Sequence, residues 1–155
     1  MQNPYKITEQ EDGFVFETDF GLSYKITFLK HNAFDDLGFS SYEFGFYPVG
    51  DSKRFKDQRI EDTIIFALDD FFQKNPDCII LYVCDSLDNR ARERNVLFNR
   101  WYKKYASDAF VKLNRKIFDT ENDMIYYFAV VFNQNFIQPL IIESFIEAEE
   151  TIYNK

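Results

Sequence analysis

Followed for its alternation of apolar and polar positions, the chain divides into segments of two different periods. In "FVFETDFGLSYKITFLK", Phe14, Phe16 and Thr18 fall on one side of an extended segment, and Tyr24, Ile26 and Phe28 on one side of the next. With Gly21 between them, the spacing predicts a β-hairpin. "YEFGFYPV" continues the period of two through Tyr42, Phe44 and Phe46, and Pro48 and Gly50 predict its end. The period then changes: Ile60, Ile64, Ala67, Leu68, Phe71 and Phe72 recur at three- and four-residue intervals, as in a helix with one side on a sheet. Asp57 stands where an N-cap is needed, and Glu61 and Asp62 fall in the first turn, where the helix dipole favours carboxylates. "KNPD" stops the helix.

"CIILYVC", residues 78–84, is apolar on both faces, the pattern of a central strand covered on both sides. After a helix of this length, it is expected to run parallel to the strand before. Asp85 to Asn89 predict a turn, and residues 90–105 a second helix whose apolar side carries Val96 or Leu97, Phe98, Trp101 and Tyr105. "AFVKLNRKIF" and "MIYYFAVVF" flank the turn "DTEND" as a second hairpin. A last helix, about 137–152, is expected to set Ile141, Phe145, Ala148 and Ile152 on one side. The first dozen residues are polar and expected to fray. The expectation is one domain over residues 1–155, of α+β or α/β class, with a mixed, mostly antiparallel sheet in the order β-β-β-α-β-α-β-β-α.

Composition adds two things to this picture. The 155 residues include 19 Phe and 10 Tyr. So many rings must be buried in a core or used at contacts, and core is the default. The net charge of −8 is also uneven: residues 89–118 carry nine basic and two acidic residues, while the flanking blocks are acidic. Either the basic block meets acidic neighbours of its own fold, or it attracts an anion or nucleic acid. A nucleic-acid reading would use Arg92, Arg100, Lys103, Lys104, Lys112, Arg115 and Lys116 with stacking on Trp101, Tyr102 and Tyr105. The overall negative charge opposes it, and nucleic acid is not the expected partner.

Cys78 and Cys84 lie six apart on one strand, about 20 Å at the rise of an extended chain, too far to bridge each other. No signal peptide opens the chain and no apolar run is long enough for a membrane span, so a cytoplasmic location is the default expectation. One histidine, His31, supplies no triad spacing, and with two cysteines it predicts no zinc site. There is no GxGxxG and no Walker-type loop.

The order of elements, with "FYPVG" followed by "RIEDTIIFALDDFFQKNPDCIILYVCD" and "LFNRWYKKY", resembles the core of the Gcn5-related N-acetyltransferase superfamily over about residues 13–132. The resemblance implies an acyl-CoA N-acyltransferase-like core, with acetyl-CoA as the possible cofactor and its pyrophosphate on the N–H groups of a helix start. It would make Glu43 the base that deprotonates an acceptor amine, and Tyr102 or Tyr105 the acid that protonates the leaving thiolate. Where that family carries a glycine-containing phosphate loop, this chain reads "QRIEDTI". Lys53, Arg54, Lys56 and Arg59 would have to hold the phosphates through side chains. Phe98, which has no proton to give, stands where the family's tyrosine acid is expected.

A second topology with a similar start is the ribonuclease H-like fold, whose two-metal chemistry would draw on Asp19, Glu61 or Asp62, and Asp85. The anion-binding candidates extend to Asp85, Asp88, Arg90 and Arg94 at the start of the second helix, Arg90 and Arg94 being one turn apart. The same acids and arginines could equally form an ion network tying helix starts together. The chain also resembles a family of short, uncharacterised bacterial proteins with "YEF.FYP...D.RI..TI" and "YVCD..D.R...R..LF.RWY" patterns, a resemblance that implies no activity. The reading that follows is a non-catalytic or regulatory module with a protein partner or a second copy of itself; an acyltransferase comes next and a metal-dependent nuclease after it.

Overall fold

The computed structural model describes residues 3–50, 57–84 and 91–153. Among these residues the protein is a mixed α+β chain with seven strands and three α-helices. It divides into two compact units, residues 1–76 and 77–155.

The first unit is an antiparallel meander of β1 (Thr8–Gln10), β2 (Gly13–Glu17), β3 (Ser23–His31) and β4 (Ser41–Val49), followed by α1 (Gln58–Lys74). Alternation sets one face apolar. Phe16 pairs with Tyr24, and Ile26 with Phe46. Phe16 stacks on Tyr24 at 5.6 Å and Tyr24 on Phe46 at 5.2 Å between ring centroids. Helix α1 lies on this face, where the ring of Phe71 stacks on Phe28 at 4.2 Å and meets Tyr42 edge-on. The surplus of rings is thus largely core in this unit, as expected of large apolar side chains. Strand β4 runs through Pro48, which sits opposite Tyr24, to Val49.

The opening segment differs from the expected frayed end. Strand β1 pairs with β2, and upstream of it Asn3 N–H donates to the Asp62 carboxylate and Tyr5 N–H to Thr63 Oγ1. Asp62 and Thr63 are buried polar residues of α1, and such groups need hydrogen-bond partners. The N-terminal backbone supplies them, so a segment without an apolar pattern is held by polar contacts instead.

The second unit is built on β5 (Ile79–Cys84), β6 (Phe110–Asp119) and β7 (Met124–Asn133), with β7 antiparallel to both and lying between them. Helix α2 (Ala91–Tyr105) precedes β6, and α3 (Pro139–Tyr153) follows β7. Ile79 to Tyr82 are all buried, as the two-sided apolar pattern of β5 requires. Strand register places Ile80, Val131 and Lys112 in one row and Tyr82, Ala129 and Asn114 in the next, on the same face. Helix α2 covers that face: Phe98 lies 4.6 Å from the Tyr82 ring and packs against the buried Trp101.

Helix α3 buries a different stripe from the expected one. Ile142 and Ile146 are inside, while Leu140, Ile141 and Ala148 are exposed. Leu140, Ile141 and Ile142 form a continuous apolar run, and such a run cannot set the phase of a helix by itself.

Candidate functional site

The cationic residue expected at an anion site in the first unit is Arg59. Asp57 caps α1, its Oδ1 accepting the Arg59 backbone N–H at 3.0 Å. This fixes the arginine at the helix start with its side chain over the N-terminal segment. There Nε donates to the Asn3 carbonyl, one terminal nitrogen to Asp19 Oδ2 at 2.9 Å and the other to the Pro4 carbonyl. The guanidinium carbon lies 3.8 Å from the centroid of the Tyr5 ring. The Tyr5 hydroxyl donates to Asp57 Oδ2 at 2.5 Å and accepts the Asp19 N–H. Burial and the Asp57 bond raise the Tyr5 pKa, so the hydroxyl keeps its proton. All three guanidinium nitrogens are thus engaged within the unit. The cluster ties the N-terminal segment to the start of α1.

The other expected site residues do not gather around it. Lys53, Arg54, Lys56, Asp85, Asp88 and Arg90 lie outside the described residues. Glu43 is half-buried on β4 opposite Leu29, on the face of the meander turned away from Phe44 and Phe46. Tyr102 donates its hydroxyl to the Phe110 carbonyl at 2.7 Å, and burial raises its pKa. Tyr105 lies beneath the ammonium of Lys104 at 4.9 Å, and Arg94 is half-buried on α2. Asp19 pairs with Arg59 and Asp62 with the Asn3 N–H. Among the described residues, no three His, Cys, Asp or Glu side chains gather as a metal ion would require. Trp101 is buried, which removes the principal stacking ring from the nucleic-acid reading.

The second unit holds a polar cluster that the sequence reading missed as a site. Beneath α2, the Lys112 ammonium donates to Asn99 Oδ1 and Asn114 Oδ1 and lies 5.2 Å from the Tyr82 ring centroid. Burial lowers the Lys112 pKa to about 8, against a smaller opposite effect of Cys84. The Tyr82 hydroxyl is buried without a hydrogen-bond partner, and burial, with Cys84 adding to it, pushes its pKa up. Cys78 and Cys84 are both buried and form no disulfide. A signal for this cluster was present: Phe110, Lys112, Asn114 and Lys116 share a face of β6, and β7 joins that strand to one buried on both sides. On that face Asn114 and Lys116 are exposed, and Lys112 is the polar residue that comes half under cover.

A third feature is the outer side of α3. Phe136, Leu140 and Ile141 are 53%, 74% and 37% exposed. Leu140, Ser144 and Ala148 continue along one face at four-residue spacing. Four glutamates and no basic residue lie between 134 and 154. The start of α3 and the turn before it thus leave an apolar cluster of Phe136, Leu140 and Ile141 in solvent, with Glu143 and Glu147 following on the helix. No helix among the described residues is long and apolar enough to cross a membrane.

These features define a mixed α+β protein with a lysine held between a helix and an antiparallel sheet. Residues 56–147 match a family of unknown function, DUF6169, and the chain belongs to that family. No curated protein and no solved structure matches it.

Proposed function

We propose that the protein is a non-catalytic binding module whose α3 receives a partner protein through a basic segment with apolar side chains. The observation that carries this reading is the exposed apolar cluster at the start of α3, with Leu140 74% exposed. Large apolar side chains clustered in solvent mark a contact surface. Charge selects the occupant. A second copy docked α3 to α3 would set glutamates against glutamates, and like charges at an interface oppose association. A basic segment would bury the apolar cluster and pair with Glu143 and Glu147 beyond it.

A photo-crosslinking residue at position 140 tests this, with the same residue at exposed Phe66 on α1 as the control. The expected result is an adduct at 140 only, whose cross-linked peptide from the partner is rich in Lys or Arg, and which is lost on Ile141→Glu. An adduct of twice the chain mass would assign the surface to a homodimer. Absence of any adduct specific to position 140 would overturn the reading.

A second reading is an acyl-CoA N-acyltransferase-like protein, favoured by the observed order of elements, which matches the expected one apart from the added β1. Glu43, Tyr102 and Tyr105 would be its catalytic candidates and Lys53, Arg54, Lys56 and Arg59 its phosphate contacts. The bonds that occupy Tyr102 and Arg59 argue against this use. Calorimetric titration with acetyl-CoA separates the two readings: saturable binding weakened by Lys53→Ala would favour the acyltransferase, and no heat at millimolar ligand would remove it.

A further inference from the structure

Lys112 is a half-buried cation to which the described part of the fold supplies no carboxylate. An ammonium has three N–H donors. Asn99 and Asn114 accept two of them through neutral amide oxygens, and the Tyr82 ring offers only its face. Among the described residues, no carboxylate pairs with Lys112. A cation taken out of water without a counter-charge is costly, and its pKa falls in response. The lowering of Lys112 to about 8 follows from this.

The Tyr82 hydroxyl beside it has the complementary deficit. It is a buried O–H donor with no acceptor, on a residue only 5% exposed. Such a group is costly when left unpaired. Its raised pKa keeps the proton in place. Each asparagine whose Oδ1 faces Nζ also turns its Nδ2 donors away from the lysine. From β5 come the titratable neighbours Tyr82 and Cys84, from β7 Tyr127, and from β6 the exposed Lys116, in one row with Tyr127 and Cys84. Helix α2 carries Glu93 and Arg94, each with contacts of its own, and Tyr102, bonded to the Phe110 carbonyl. With two amide oxygens turned to the lysine, the cluster leaves one ammonium N–H and the Tyr82 O–H without an acceptor.

We infer that Lys112, held in place by the amide oxygens of Asn99 and Asn114, and Tyr82 bind the oxyanion of a small ligand, a carboxylate or phosphate group, between α2 and the strands β5 and β6. The anion would accept from the lysine and the tyrosine together, and the charge-assisted bonds would replace an uncompensated burial. This site is independent of the α3 surface and of any acyltransferase reading.

The test is calorimetric titration of the full chain with sodium acetate and, separately, with inorganic phosphate. One of the two is expected to bind saturably near neutral pH, identifying the group as carboxylate or phosphate. Its affinity should fall about tenfold per pH unit above the Lys112 pKa of about 8, as the free ammonium is lost. Tyr82→Phe should weaken binding several-fold while the fold is retained. Asn114→Asp places a carboxylate beside Nζ and should abolish binding while leaving the melting temperature equal or higher. Absence of saturable binding for both anions would overturn the inference. So would binding that neither substitution changes, since it would then lie elsewhere.

Discussion

Arg59 and Lys112 each hold a positive charge against a tyrosine ring, one in each unit of the chain. Their surroundings differ in kind. Arg59 faces the Asp19 carboxylate and two backbone carbonyls, and its tyrosine is bonded on both sides, to Asp57 and to the Asp19 N–H. Lys112 faces two neutral amides, and the hydroxyl of its tyrosine has no partner. The first cluster is complete and therefore structural. Among the described residues the second lacks a carboxylate for its lysine and an acceptor for its tyrosine, which is the condition of a site that something else completes. A cation–aromatic pair by itself says little about role; the count of satisfied groups around it separates the two.

The largest contrast is expected from removing the two cations. Arg59→Met should destabilise by about 2–3 kcal/mol in denaturant unfolding, chiefly through lost hydrogen bonds that anchor Asn3 and Pro4, together with the ring contact. The exposed part of its ion pair adds little. Lys112→Met near neutral pH should be neutral or stabilising, because it replaces an uncompensated charge with an apolar chain of similar length. Equal losses at the two positions would break the distinction.

The tyrosines give a smaller version of the same contrast. Tyr5→Phe removes a hydroxyl that donates to Asp57 and accepts from Asp19, and should cost about 1–2 kcal/mol. Tyr82→Phe removes a hydroxyl that bonds to nothing, and unfolding should show no loss or a gain of up to about 1 kcal/mol.

The smallest effect is one of pH. Lys112 is lowered from 10.5 to about 8 in the folded chain. Between these values the unfolded state binds more protons than the native state, so stability contributed by this group rises with pH across that window. Below about 8 both states are protonated and the penalty is constant. Lys112→Met should lack the rise, and comparing its melting temperature with that of the unsubstituted chain at several pH values in the window measures it.

Much of the fold was legible because periodicity and capping agree with each other. The period of two in residues 14–28 and 42–46 became β2, β3 and β4, and Asp57 caps α1 as its position suggested. What escaped was whatever lacked a period. The N-terminal segment is held by backbone bonds to Asp62 and Thr63, which no apolar pattern announces. The phase of α3 was lost in the run from Leu140 to Ile142. At the level of sites, Arg59 stood out as a candidate because arginine suits anions, yet its internal partners Asp19 and Asn3 are distant in sequence. Lys112 read as one more basic residue of a charged block. Only the register of β5, β7 and β6 brings it to Tyr82, and only helix α2 covers it. Single side chains announce their type in sequence, whereas compensation is a property of neighbours that the fold assembles.

The most direct measurement is the titration of Lys112 itself, followed by the carbon NMR signal of its ε-methylene in the anion-free protein and assigned through Lys112→Met. The structure predicts a midpoint of about 8, moving upward when the bound oxyanion supplies the missing charge. A midpoint at the ordinary 10.5 without any anion would show that the fold already compensates this lysine, and would contradict the account.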